Sequence, residues 1–96
     1  MSDAKLLNLT IAKVDEPIFS GEAVSVLVPG VMGQMEIMSG HTALISPLKA
    51  GVVTVKKSDG SRETHEIENG TLEVANNHAT VLILSLIHIS EPTRPY

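Results

Sequence analysis

The segment FSGEAVSVLVPGVMGQMEIMSGHTALISPLKAG, residues 19–51, decides the fold of this chain. Short apolar runs alternate in it with turn residues at Gly21, Pro29–Gly30, Gly40 and Gly51. Turn signals this closely spaced, between runs rich in β-branched residues, are typical of an all-β domain and not of an enzyme built on helices. The segment therefore predicts short strands joined by tight turns.

The composition supports a single small sheet domain. The chain has 96 residues, and only Phe19 and Tyr96 are aromatic. Val, Ile, Leu and Met must therefore fill one core, and β-branched side chains pack well on a pleated surface.

Charge and cysteine content exclude several classes of protein. The chain contains no cysteine, and its formal net charge is −4. Disulfides and thiolate metal sites are thus excluded, and without a basic cluster longer than Lys56–Lys57 a nucleic-acid-binding surface is not expected. No stretch approaches the ~20 apolar residues of a membrane helix, and the first residues do not resemble a signal peptide, so we expect a soluble protein.

Apolar residues with a period of two predict strands over residues 7–11 and 22–28, with one face of each strand turned inward. We expect Ser20–Gly21 to be the turn before the second of these. Residues 31–38 have a mixed pattern that predicts a loop leading into a short strand. For residues 42–48 the pattern predicts a strand or an irregular edge. An edge position is indicated because Pro47 has no N–H to donate to a neighbouring strand.

The second half of the chain predicts hairpins. Asp59–Gly60 separates residues 52–57 from residues 62–67, and an Asp-Gly pair between β-rich runs is a strong hairpin signal. Asn69–Gly70 and Asn76–Asn77 predict two further turns. The run at residues 79–84 is apolar at nearly every position, so it predicts a strand buried on both faces.

Together these elements predict an all-β fold, an antiparallel β-sandwich of about eight to ten short strands connected as a meander. We assign residues 1–85 to this domain. Residues 86–96 contain two prolines, Pro92 and Pro95, and resemble translated sequencing-adapter sequence, so we expect a disordered or non-native tail.

Catalytic and metal sites are weakly indicated. His41, His65, His78 and His88 lie in separate predicted turns and strands, without a short metal-ligand spacing. No nucleophile elbow and no phosphate-binding glycine motif is present. We therefore expect no catalytic residue, no metal and no cofactor, although His41 stands out because it lies in a glycine turn.

Three methionines, Met32, Met35 and Met38, recur every third residue. Thioether side chains repack easily against varied partners, so the three residues could form an adaptable contact surface. They could equally fill gaps in a core that lacks aromatic residues. The sequence leaves both interpretations open.

An ordered series of motifs resembles one protein family. The series comprises Phe19-Ser20-Gly21, residues 26–33, Ser39-Gly40-His41 through Ile45, residues 48–53, and Gly70 through Val74 before residues 79–82. It is similar to the N-terminal β-sandwich domain of the epsilon subunit of F-type ATP synthases. Ser39 stands where the family usually has proline, and Asn69–Gly70 where it usually has a glycine pair.

The resemblance implies a non-catalytic rotor subunit of the central stalk, which links the gamma subunit to the membrane c-ring and couples ion-driven rotation to ATP synthesis. It would act at the cytoplasmic face of the membrane as a peripheral part of the complex. By position in the motifs, the c-ring contact maps to a loop with Gln34 and Glu36 and to His41 close by, and the gamma contact maps to Leu44 and Ser46. The family's C-terminal helical hairpin has no counterpart here, so no direct ATP binding is expected.

Two other functions stay open from the sequence. One is a free-standing β-sandwich module that binds a peptide or another ligand through an exposed strand edge. The other is a small metal-dependent enzyme, which would require His41, His65 and His78 to converge in space.

Overall fold

The computed structural model describes residues 5–86, whose regular secondary structure is entirely β-strand. The strands are β1 (Leu7–Lys13), β2 (Glu16–Ala23), β3 (Ser25–Gly30), β4 (Gly33–Met38), β5 (Leu44–Leu48), β6 (Gly51–Lys56), β7 (Arg62–Ala75) and β8 (His78–Leu86). Within residues 5–86 there is no helix that could cross a membrane. The all-β prediction is confirmed.

The long strand β7 joins two sheets. Its first half pairs with β6, which pairs with β3, and β3 pairs with β4. Its second half lies between β5 and β8, while β8 pairs with β1 and β1 with β2. We call β7-β6-β3-β4 the four-stranded sheet and β2-β1-β8-β7-β5 the five-stranded sheet. The predicted β-sandwich of about eight to ten strands is confirmed.

The two sheets enclose one core made almost entirely of aliphatic side chains. Leu7, Leu9 and Ile11 alternate inward along β1, as their spacing predicts. The buried apolar residues are Leu7, Leu9, Ile11, Ala23, Val26, Val28, Ile37, Leu48, Val53, Val55, Ile67, Leu72, Val74, Ala79, Val81 and Ile83. Every strand contributes to this core, which explains how a chain so poor in aromatic residues stays folded.

Two of the predicted turns are confirmed. At the tip of the β6–β7 hairpin Gly60 has a φ of 91°, and the Ser61 N–H donates to Asp59 Oδ1 at 2.8 Å. Between β7 and β8, Asn76 and Asn77 have φ angles of 52° and 61°. Two consecutive left-handed residues match the right-handed twist of the flanking strands, which is why an Asn-Asn pair suits this two-residue turn.

Two other predicted turns are wrong. Ser20–Gly21 lies inside β2, and Asn69–Gly70 lies inside β7. At that point the pairing of β7 on one side passes from β6 to β5, and its register with β8 on the other side shifts. A Cβ at Gly70 would approach the Leu82 carbonyl oxygen to 2.5 Å. Glycine is required there because two backbones approach closely, and not because the chain reverses.

The prediction that β8 is buried on both faces is also wrong. Ala79, Val81 and Ile83 point inward, whereas 38% of Leu82 and 55% of Leu84 is exposed on the outer face. Nor is the fold a simple meander, since β1 and β8 pair in parallel. The outer face of β8 thus carries apolar side chains that the core does not cover.

The predicted tail, residues 86–96, falls almost entirely outside the described residues. Leu86 belongs to β8, and residues 87–96 lie beyond the part of the chain that the structure describes. The boundary between domain and tail therefore stays a prediction.

Candidate functional site

The β3–β4 hairpin carries the first pair of predicted contact residues. Gln34 and Glu36 lie in β4, and the predicted loop is reduced to a turn at Val31 and Met32. Because Gln34 and Glu36 are two positions apart on one strand, both project from the outer face of the four-stranded sheet. Gln34 is exposed beside the turn, where Met32 is 95% exposed.

The Glu36 carboxylate is already engaged within the domain. Ser25 Oγ donates to Glu36 Oε2 at 2.7 Å, and Lys56 Nζ lies 3.3 Å from the same oxygen. The hydrogen bond from Ser25, followed by that from Lys56, lowers the pKa of Glu36. Glu36 thus ties together β4, β3 and β6 on the outer face, which leaves Gln34 the freer of the two side chains.

His41 lies at the opposite end of β4 from Gln34. Its N–H donates to the Met38 carbonyl at 3.2 Å, and its Nδ1 donates to the Thr42 carbonyl at 2.7 Å. The four residues from Gln34 to the end of β4 span about 13 Å at the usual rise of a strand. The structure therefore does not bring His41 close to Gln34, although the resemblance implied that it would.

Leu44 and Ser46, the predicted gamma-side residues, lie on β5 and face inward. They pair with Val74 and Leu72, which are buried, and Leu44 packs against the core. The residue between them, Ile45, points outward and is 72% exposed. Alternation along β5 therefore places the Ile45 side chain on the face opposite to Leu44 and Ser46.

Of the three methionines, one fills the core and two are exposed for contacts. Met35 packs against the core, as gap-filling requires. Met32 and Met38 are 95% and 52% exposed, so they are available for contacts at the two ends of β4.

The histidines do not form a metal site within residues 5–86. No group of three or more His, Asp or Glu side chains there could hold an ion. His78 Nε2 lies 3.0 Å from Thr10 Oγ1, and His65 Nε2 lies 2.9 Å from Glu63 Oε2. His88 lies outside the described residues.

Glu63 is the centre of a small charged cluster that bridges the two sheets. Lys57 Nζ lies 2.9 Å from Glu63 Oε1 and 5.5 Å from the ring centroid of Phe19 on β2. The hydrogen bond from Lys57 is the largest cause that lowers the pKa of Glu63 below its usual 4.5, and the bond from His65 acts in the same direction.

This lowered pKa predicts an acid-dependent loss of stability. The contribution of Glu63 is present above its unfolded pKa and is lost as the pH falls through the lower folded value. We expect Glu63→Gln to reduce the drop in unfolding free energy between pH 7 and pH 3, as measured by urea unfolding. Glu66→Gln, on the opposite face of β7, is the matched control. Identical pH profiles for Glu63→Gln and the unchanged chain would contradict the role of Glu63.

The fold defines a class, a small two-sheet β-sandwich whose candidate functional residues lie on strands and turns. The family model described as the ATP synthase delta/epsilon chain β-sandwich domain matches residues 6–89. The chain belongs to this family, and the resemblance noted from its motifs is confirmed.

Relatives at the sequence level support the same assignment. The ATP synthase epsilon chain of Chlorobium limicola is 41% identical over 81 residues, which cover 84% of this chain and 92% of that relative. The ATP synthase epsilon chain of Bordetella petrii is 36% identical over 85 residues, which cover 88% of this chain and 60% of that relative. The chain therefore spans nearly all of one relative and about three fifths of the other.

Solved structures share the fold. One is from the Euglena gracilis mitochondrial ATP synthase, in its OSCP/F1/c-ring part, with a TM-score of 0.79 at 19% identity, covering 85% of this chain and 52% of that chain. Another is from the central stalk/c-ring of the Tetrahymena thermophila mitochondrial ATP synthase, with a TM-score of 0.71 at 10% identity. It covers 90% of this chain and 69% of that chain. At these identities the likeness concerns the fold alone.

Proposed function

We propose that this chain is a central-stalk rotor subunit of an F-type ATP synthase, which links the gamma subunit to the membrane c-ring and performs no reaction itself. The observation that carries the proposal is the family match over residues 6–89, which includes every strand of both sheets. The ATP synthase assemblies that contain the structural neighbours, one of them a central stalk and c-ring, support the same role.

A two-sheet sandwich suits this mechanical task. A connector that deforms little passes a rotation from one partner to the other with little lag, and a close-packed core with few voids resists deformation. β7 contributes to both sheets, so a load on the outer face of one sheet reaches the other through a continuous strand. The domain would lie at the cytoplasmic face of the membrane, held there through its partners.

Co-purification tests the proposal. The ATP synthase of Chlorobium limicola, prepared without its own epsilon chain, would be mixed with this chain and passed over an affinity tag on the gamma subunit. We expect stoichiometric retention of this chain together with the c-ring. A folded chain that elutes entirely in the unbound fraction would contradict the proposal.

Within this function, the c-ring contact is assigned to the β3–β4 hairpin with Gln34 and Glu36 and to His41, and the gamma contact to Leu44 and Ser46. Gln34→Arg and His41→Arg add bulky charges to exposed or half-exposed positions, so we expect each to weaken retention of the c-ring by roughly tenfold without unfolding the domain. Thr64→Arg, on the same sheet at β7, is the control. Retention unchanged by both variants would contradict this placement of the contact.

A further inference from the structure

The outer faces of the two sheets differ in charge. On the four-stranded sheet, basic and acidic residues are mixed, with Arg62 and Lys56 beside Glu66 and Glu36, and Lys56 pairs with Glu36. On the five-stranded sheet, the outward positions of the described strands carry Glu22 and Glu73 and no lysine or arginine. Within the described strands that face is acidic, and no lysine or arginine on it neutralises the two carboxylates.

The same face also carries apolar side chains. One row of cross-strand neighbours runs across all its strands, and its members are Pro17, Ala12, Leu82, Thr71 and Pro47. Ile45 and Leu84 add exposed apolar surface on either side of this row. Antiparallel sheets that face water normally carry polar residues outward, so a face of this composition is suited to a partner.

A shallow polar depression lies beside the apolar row. It measures about 270 Å³, and its polar side chains are Asn8, Thr10, Ser20, Glu22 and His78. Thr10 and His78 are hydrogen-bonded to each other. Among residues 5–86, no hydrogen bond or ion pair engages the Glu22 carboxylate, so it remains available as an acceptor at the rim.

We propose that this depression receives a lysine or arginine side chain of the gamma subunit, and that the apolar row packs around that contact. The inference rests on the proposed function, which supplies gamma as a partner. The chemistry of the site selects the side chain, because a carboxylate, two hydroxyls and an amide together accept several N–H donors. Ile45, on the same face, lies between the two residues of β5 to which the gamma contact was assigned.

Glu22→Gln tests the proposal with the gamma subunit of the Chlorobium limicola ATP synthase as the probe. The change removes the charge and keeps the shape, so we expect the dissociation constant to rise at least about tenfold. The affinity of the unchanged chain should fall more steeply with NaCl than that of the variant, because screening weakens only the charged pair. Glu66→Gln, on the outer face of the other sheet, should leave the affinity unchanged.

Ser20→Lys gives a second measurement, since it places a competing cation in the depression. We expect this variant to bind at least as weakly as Glu22→Gln, with Thr64→Lys as its control and thermal unfolding as the check on folding. If the unchanged chain binds gamma and both variants bind gamma as tightly as the unchanged chain does, the depression is not the contact. In that case only this inference fails. If the unchanged chain does not bind gamma, the proposed function fails with it.

Discussion

Val26→Asp is expected to abolish folding of the domain. Val26 is fully buried in β3, paired with Ile37 on β4 and Val55 on β6, which are also fully buried. A carboxylate at this position loses its hydration and gains no partner, which costs several kcal/mol. The free energy of unfolding of small domains is only about 5–15 kcal/mol, so this cost removes most of it.

Circular dichroism during heating measures this effect. The unchanged chain should show one cooperative transition, and Val26→Asp should show none. Thr64→Asp places the same charge at an exposed position of the same sheet and should keep the transition. A cooperative transition for Val26→Asp near that of the unchanged chain would mean that the core is not where the structure places it.

Gly70→Ala is expected to have the second largest effect. The added Cβ would lie 2.5 Å from the Leu82 carbonyl oxygen and 3.4 Å from the Ile83 Cα, and both atoms belong to the backbone of β8. Backbone cannot move aside as a flexible side chain can, so the β7–β8 pairing must shift where β7 passes from one sheet to the other. Overpacking of this kind costs roughly 1–3 kcal/mol.

For a domain of this size, we expect the melting temperature to fall by about 4–24 °C. Gly21→Ala is the matched control, because the nearest atom to a Cβ there belongs to the Phe19 ring, at 3.7 Å. That variant should change the melting temperature little. Equal melting temperatures for the two variants would show that the close approach at Gly70 does not constrain the fold.

Local sequence signals predicted strands and some of the turns, and two of the failures have a non-local cause. In the two confirmed turns Gly60, Asn76 and Asn77 occupy left-handed conformations, which local chemistry favours at Gly and Asn. Gly70 lies inside a strand because β8 comes close to it, and no neighbouring residue reveals that approach. The parallel pairing of β1 with β8 is equally non-local, since it joins the two ends of the domain.

The orientation of the candidate residues also depends on non-local pairing. Motif position named Leu44 and Ser46 on β5, whose side chains face the core, whereas the Ile45 side chain between them points outward. Which side of a strand meets solvent depends on the register with its neighbours. The depression around Glu22 combines residues from β1, β2 and β8, so it exists only after these strands have paired.

The most direct test of the rotor assignment is a cryo-EM map of the Chlorobium limicola ATP synthase in which this chain replaces the native epsilon chain. We predict density for the β-sandwich between the gamma subunit and the c-ring, in contact with both. A fully assembled enzyme whose central stalk lacks that density, or holds the domain against only one of the two partners, would contradict the account.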